Sequence, residues 1–193
     1  HVFFIFVGYT GMFQNTIVPN ARVRSIFFDK PLHLKPLSLE QVHDLINVRY
    51  KLLAAPGKTI IKPVEDAVID HLYATFQAKL RPIMNAITSV VSHLPDSVAQ
   101  TIGLEQATGM LREILLDELE STLTETEMEV FQAAVALGRF TPTALAKQTG
   151  KSKQLIQKHL KKLLELRYVQ HGEKAGRSQH YEADARFHLI VGG

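Results

Sequence analysis

The stretch KSKQLIQKHLKKLLEL, residues 151 to 166, constrains the fold of this 193-residue chain more than any other. Ile156, Leu160, Leu163 and Leu164 recur at helical spacing and make one apolar face, while Gln154, Gln157, Lys158 and Lys161 recur at i, i+3, i+4, i+7 on the other. A helix divided in this way buries one side and leaves amides and ammonium groups in water. Its neighbours narrow the choice further. Before it lie a short helical stretch, about Pro142 to Gln148, and a turn at Thr149 to Lys151, so the long helix runs from Ser152 to Leu166. After it, YVQHGEKAGRSQHYEA sets a Gly-containing tip between two alternating runs, which is a hairpin signature. Upstream, Thr124 and Glu127 have capping-box spacing and lead into Met128, Phe131, Val135 and Leu137, and Gly138 stops that helix.

Helix, helix, turn, helix, hairpin is the order of a winged helix. The pieces TPTALAKQTGKSKQLIQKHLKKLLELRYV and GRSQHY resemble the winged-helix domains of many bacterial and archaeal regulators. The chemistry of the polar face agrees with that resemblance, because Gln pairs bidentately with adenine edges and Lys with guanine or phosphate. The expected DNA-binding residues are Lys151, Ser152, Lys153, Gln154, Gln157, Lys158 and Lys161. Lys174 and Arg177 join them, flanking Gly176 at the hairpin tip where long cations reach phosphates. Charge follows the same division. The chain is only +3 overall, but Lys147 to Arg177 hold nine basic residues against Glu165 and Glu173, while residues 98 to 122 hold one Arg against five acids. A basic patch of this size implies a polyanionic partner, most often nucleic acid and less often an acidic membrane surface; with the winged-helix resemblance the expected partner is double-stranded DNA.

The first half reads differently. Val2 to Val7 is a short apolar run ended by Gly8 and Gly11, as in a strand buried on both faces. Asn15 to Ala21 reads as a loop, and Ser25 to Leu34 as a second strand interrupted by Asp29, Lys30 and Pro31. Two short strands make a marginal sheet, so the chain reads as the tail of something longer. The period then becomes helical. Ser38 and Gln41 form a capping box before Val42, Leu45, Ile46 and Tyr50. Pro63 suits the first turn of a helix with Val64, Val68, Leu72 and Phe76, and Pro82 opens another with Ile83, Ile87, Val90 and Val91. An acidic helix at about Leu104 to Leu119 links the halves. The expected fold is mostly α with a small β component, in three parts: residues 1–35, 36–122 and 123–193.

The order of the first half resembles the end of an AAA+ ATPase core running into its helical lid, in the style of origin-recognition initiators. The carrying stretch is VFFIFVGYTGMFQNTIVPNARVRSIFFDKPLHLKPLSLEQVHDLINVRY. The resemblance implies nucleotide-facing roles for Thr10 at the strand end, for Arg22 or Arg24, and for Arg81 in the lid. Where that family has a Gly-acid pair before the lid arginine, this chain has Ala78 and Lys79. It also implies ATP and magnesium in a longer parent, with this portion not catalytic alone. APGKT and TGKSK carry only the end of a phosphate loop; the first glycine is replaced by Leu52 in one and Leu145 in the other.

Other chemistry is excluded or open. With no cysteine there is no disulfide, thiolate metal site or Cys nucleophile, which is compatible with a cytoplasmic location. None of the nine histidines has zinc-protease spacing, and no serine sits in a strand–turn–helix elbow. His171 and His180 flank the wing and are placed to meet across it. The chain shows no targeting or transmembrane segment. The exposed edges of Val2 to Val7 imply either pairing with the second strand in a rearranged small sheet or pairing with the same segment of another copy, and only the latter gives a homo-oligomer. Two alternatives stay open: a non-enzymatic regulator with an N-terminal sensing or dimerising module, and a winged helix that grips a protein.

Overall fold

The computed structural model describes residues 8, 12–26, 32–57, 60–95, 100–172 and 179–191. The expected strand Val2 to Val7, Thr10 and the hairpin-tip residues Lys174 and Arg177 lie outside them. The chain forms two compact units, residues 1–36 and 37–193. Among the described residues the fold is mostly α-helical with one small antiparallel sheet of three strands.

In the first unit, Phe13–Ile17 form a π-helical turn and Ala21–Arg24 a short helix, α1. Two expectations fail here. The stretch read as a loop is helical in part, and the stretch read as a strand from Ser25 begins as a turn and shows no strand at Leu32 to Leu34. Local polar groups explain the first case: the Asn20 side chain accepts the Val23 N–H at 3.3 Å, and the Ser25 hydroxyl donates to the Arg22 carbonyl at 2.8 Å. These bonds hold a helical turn over residues 20 to 25, at the end of the stretch whose polar composition and Pro19 suggested a loop. Leu32, His33 and Leu34 are all exposed, so neither face of that stretch is covered in the way a buried strand requires. Arg22 and Arg24 are exposed on α1.

The second unit begins with α2 (Leu39–Leu53), whose capping box is complete: Ser38 Oγ accepts the Gln41 N–H and the Gln41 side chain accepts the Ser38 N–H. It packs on α3 (Asp66–Thr75) and α4 (Leu80–Ser92) around Val42, Ile46, Val68, Ile69, Leu72, Ile83, Ile87 and Val90. Pro63 does not open α3. Glu65 donates to the Ile102 carbonyl and Ile102 to the Pro63 carbonyl, both at 2.9 Å, so Val64 makes a parallel bridge and the helix starts beyond it. Pro82 does not open α4 either: it is the third residue, two past the first position that its φ preference favours, and Val91 faces water while Val90 is buried. The turn before α4 holds Gln77 at φ 52° and Ala78 at φ 61°, a conformation that favours glycine. A charged cluster ties α2 to α3: His43 Nδ1 lies 3.1 Å from Asp66 and Nε2 2.7 Å from Asp70, and Lys62 bonds Asp66. The Lys62 hydrogen bond leads in holding the Asp66 carboxyl below the usual carboxylate range.

Helix α5 (Leu104–Thr122) serves two cores. Ala107 and Leu111 enter the cluster above, and Leu115 and Leu119, two further steps of four along the same face, enter the next. That second core lies among α6 (Glu125–Leu137), β1 (Arg139–Phe140), α7 (Pro142–Thr149), α8 (Lys153–Glu165), β2 (Val169–His171) and β3 (Tyr181–Ala183). The strand order is β1-β3-β2. A 3-10 turn at Ala185–Phe187 and the short α9 (His188–Val191) close the chain. Phe187 is fully buried, with its ring centroid 4.8 Å from Phe131 and 5.1 Å from Tyr168. Arg186 lies over the Phe187 ring and bonds Glu118 of α5 at 3.4 Å. Burying each large side chain of this kind contributes roughly 1.5–3 kcal/mol.

Candidate nucleic-acid interface

Helices α7 and α8 are punctuated by residues chosen for their backbone needs. Thr141 accepts the Ala144 N–H at 3.2 Å, and Pro142 follows as the first helical residue, where its missing N–H has no intrahelical role. Gly150 ends α7 at φ 67°, the left-handed conformation that closes a helix most cheaply as glycine. Ser152 then accepts the Leu155 N–H at 3.3 Å and starts α8. Leu145, Ile156, Leu160 and Leu163 are buried, and Leu164, expected with them, is half-buried at the margin.

The opposite side of α8 is open. Ser152, Lys153, Gln154, Gln157, Lys158 and Lys161 are all exposed. The Lys153, Gln154, Gln157, Lys158 and Lys161 side chains have no ion-pair or hydrogen-bond partner among the described residues. Two other lysines of the same basic stretch are engaged. Lys151, expected at the interface, lies 2.8 Å from Glu129 of α6 with its side chain 19% exposed. Lys162 bonds Glu127 Oε2 at 2.6 Å and the Thr122 carbonyl at 3.2 Å.

The hairpin follows the expected course. Val169 pairs with Ala183, Gln170 with Glu182 and His171 with Tyr181, and β1 adds Arg139 opposite Glu182 and Phe140 opposite Tyr181. Gln179 closes its base by donating to the Gly172 carbonyl at 3.2 Å and the His180 carbonyl at 2.9 Å. This register sets His171 against Tyr181, rings 5.2 Å apart, and not against His180.

Sequence reading missed what sits beneath α8. Glu127, read only as a capping-box residue, has a side chain just 12% exposed and accepts the Thr124 N–H at 2.9 Å as well as the Lys162 ammonium. The Lys162 bond, then the Thr124 backbone, hold its carboxyl down at about 2. His159, buried one turn before Lys162, turns Nδ1 to Glu127 Oε1 at 3.7 Å, and its Nε2 has no partner among the described residues. A polar His159 amid the apolar positions Ile156, Leu160 and Leu163 was the available signal. Among the expected nucleotide-facing residues, Arg81 is exposed in the first turn of α4, and Arg22 and Arg24 belong to the first unit. Among the described residues no group of three or more His, Asp or Glu side chains is placed to hold a metal ion. None of the described helices is long and apolar enough to cross a membrane.

No protein-family profile matches the chain, and no curated protein matches it either. Among solved structures it is similar to two point mutants of Thermotoga maritima RuvB. The first aligns at 17% identity with a TM-score of 0.43 and the second at 16% with 0.41, each over 88% of this chain. The chain spans about half, 54%, of the length of each.

Proposed function

We propose that the segment from Thr124 onward is a winged helix that binds double-stranded DNA, with α8 entering the major groove and the hairpin tip, Lys174 and Arg177, reaching the backbone. One observation carries this reading. Lys158, Lys161, Gln154 and Gln157 share one exposed face without partners among the described residues, while Lys151 and Lys162 are neutralised by Glu129 and Glu127. The uncompensated charge of the helix is thereby concentrated where groove-reading amides also stand. Such a face offers phosphate contacts for affinity and amide contacts for base choice. The wider frame, an AAA+-type parent in which Arg81, Arg22 or Arg24 and Thr10 face ATP and magnesium, rests on the order of elements in the sequence.

The decisive experiment is the double substitution Lys158→Glu, Lys161→Glu. Its core face is untouched, so the melting temperature stays near that of the parent. Duplex affinity at low salt falls by about 100-fold or more, because two attractive phosphate contacts become repulsive. A folded double variant with unchanged affinity would overturn the proposal. Gln157→Ala, by contrast, shifts sequence preference more than bulk affinity.

A further inference from the structure

Lys161 and Lys162 are neighbours in the sequence, and in the structure one is free while the other is held. Lys162 Nζ lies 2.6 Å from Glu127 Oε2 and 3.2 Å from the Thr122 carbonyl. Thr122 is the last residue of α5, so its carbonyl is one of those a helix end leaves without an intrahelical partner. Glu127 is the third residue of α6 and closes the capping box on Thr124. A single ammonium group therefore ties the end of α5, the start of α6 and the last turns of α8.

We infer that Lys162 is a positioning residue that sets the rotation of α8 about its own axis, and that it is not a DNA contact; the inference rests on the DNA-binding reading above. His159 and Lys162 are one turn apart and both address the same carboxylate. The two hydrogen bonds of Lys162, to Glu127 and to the Thr122 carbonyl, resist rotation better than apolar packing does, because hydrogen bonds are directional and dispersion is not, and His159 sets a second polar group 3.7 Å from the same carboxylate one turn away. A rotation of one residue position, about 100°, would carry Lys158 and Lys161 off the outward face. Lys162 is also poorly free to leave. Its departure would strip a carboxylate that is 12% exposed of its main counter-charge, although the Lys162 side chain itself is 39% exposed.

The test measures duplex binding by the full chain across a salt series, using the tightest duplex selected from a randomised pool and a scrambled duplex. Lys161→Met, which removes a phosphate contact, lowers the slope of log affinity against log salt by about 0.9. Lys162→Met leaves that slope unchanged, weakens the selected duplex by about 10-fold and reduces discrimination against the scrambled one. Lys162→Arg, which keeps donors for both acceptors, restores both. In thermal unfolding, Lys162→Met and Glu127→Gln are strongly non-additive, as expected of partners. Lys162→Gln replaces the Met variant if that one does not fold. A slope lowered by Lys162→Met as much as by Lys161→Met overturns the inference, as does additivity with Glu127→Gln. If the parent chain shows no salt-dependent duplex affinity, the DNA reading fails, and the double-mutant cycle still decides whether Lys162 is the junction.

Discussion

The second unit contains the same capping box twice, and the two copies do different work. At the start of α2, Ser38 and Gln41 exchange hydrogen bonds in water and the arrangement ends there. At the start of α6, Thr124 and Glu127 exchange the same bonds, but Glu127 carries a charge in a nearly closed site and gathers Lys162 and His159 of α8 around it. A neutral glutamine in that place would finish the local cap and still offer Lys162 an acceptor, but with no charge to hold the ammonium. The difference shows how a motif of four residues becomes a tertiary junction. The requirement is a charged third residue and a partner helix that brings a cation to it.

The largest effect expected from breaking this asymmetry is that of Glu127→Gln. The carboxyl is held at about 2, against about 4.3 in an unfolded chain, so its contribution is fully present above the unfolded value and is lost as pH falls toward 2. Urea unfolding of the parent should accordingly weaken between about pH 5 and pH 2, and Glu127→Gln should be weaker at pH 7 and flatter through that window. An acid limb identical in the two proteins would remove the junction from the account. Gln41→Glu makes the converse test. With no cation bonded to that position, the new carboxylate gains only the local cap, and no comparable acid limb develops.

Intermediate effects come from the hydroxyl partners, where the two copies ought to be alike. Ser38→Ala and Thr124→Ala each remove one acceptor for an orphan N–H and cost about 1 kcal/mol. A much larger loss at Thr124 would show that the hydroxyl, and not only the carboxylate, supports the junction. The smallest expected change is a gain. Ala78 sits at φ 61° before α4, and Ala78→Gly relieves a left-handed alanine for about 0.5–1 kcal/mol of net stabilisation, read as a small rise in melting temperature.

Much of the second unit was legible because its signals are local. The capping boxes at Ser38 and Thr124, the glycine stops at Gly138 and Gly150, and the two-faced pattern of residues 151 to 166 each depend on atoms within a turn of chain, so their meaning travels with the sequence. The hairpin was legible for the same reason, although its third strand, Arg139–Phe140, was not: two residues are too few to show alternation, and they become a strand only because β3 lies beside them. The misreadings have the same origin. Pro63 looked like a helix start because its own φ suits one, yet Ile102, distant in sequence, takes the backbone there into a bridge. Phe187 and Arg186 gave no periodic signal, and they matter only because the chain end returns onto Phe131, Tyr168 and Glu118.

By itself, then, the sequence determined where α2, α6, α7 and α8 begin, which face of α8 is apolar, and that the basic charge gathers between residues 147 and 177. Only the tertiary structure decided which of those cations remain free. Lys151 and Lys162 read as members of the same basic stretch as Lys158 and Lys161, and nothing local separates them. The separation comes from Glu129 and Glu127, more than twenty residues upstream and brought within hydrogen-bonding reach by the packing of α6 against α7 and α8. Coulomb attraction falls off with distance through space and takes no account of distance along the chain, so charge pairing is settled by the fold.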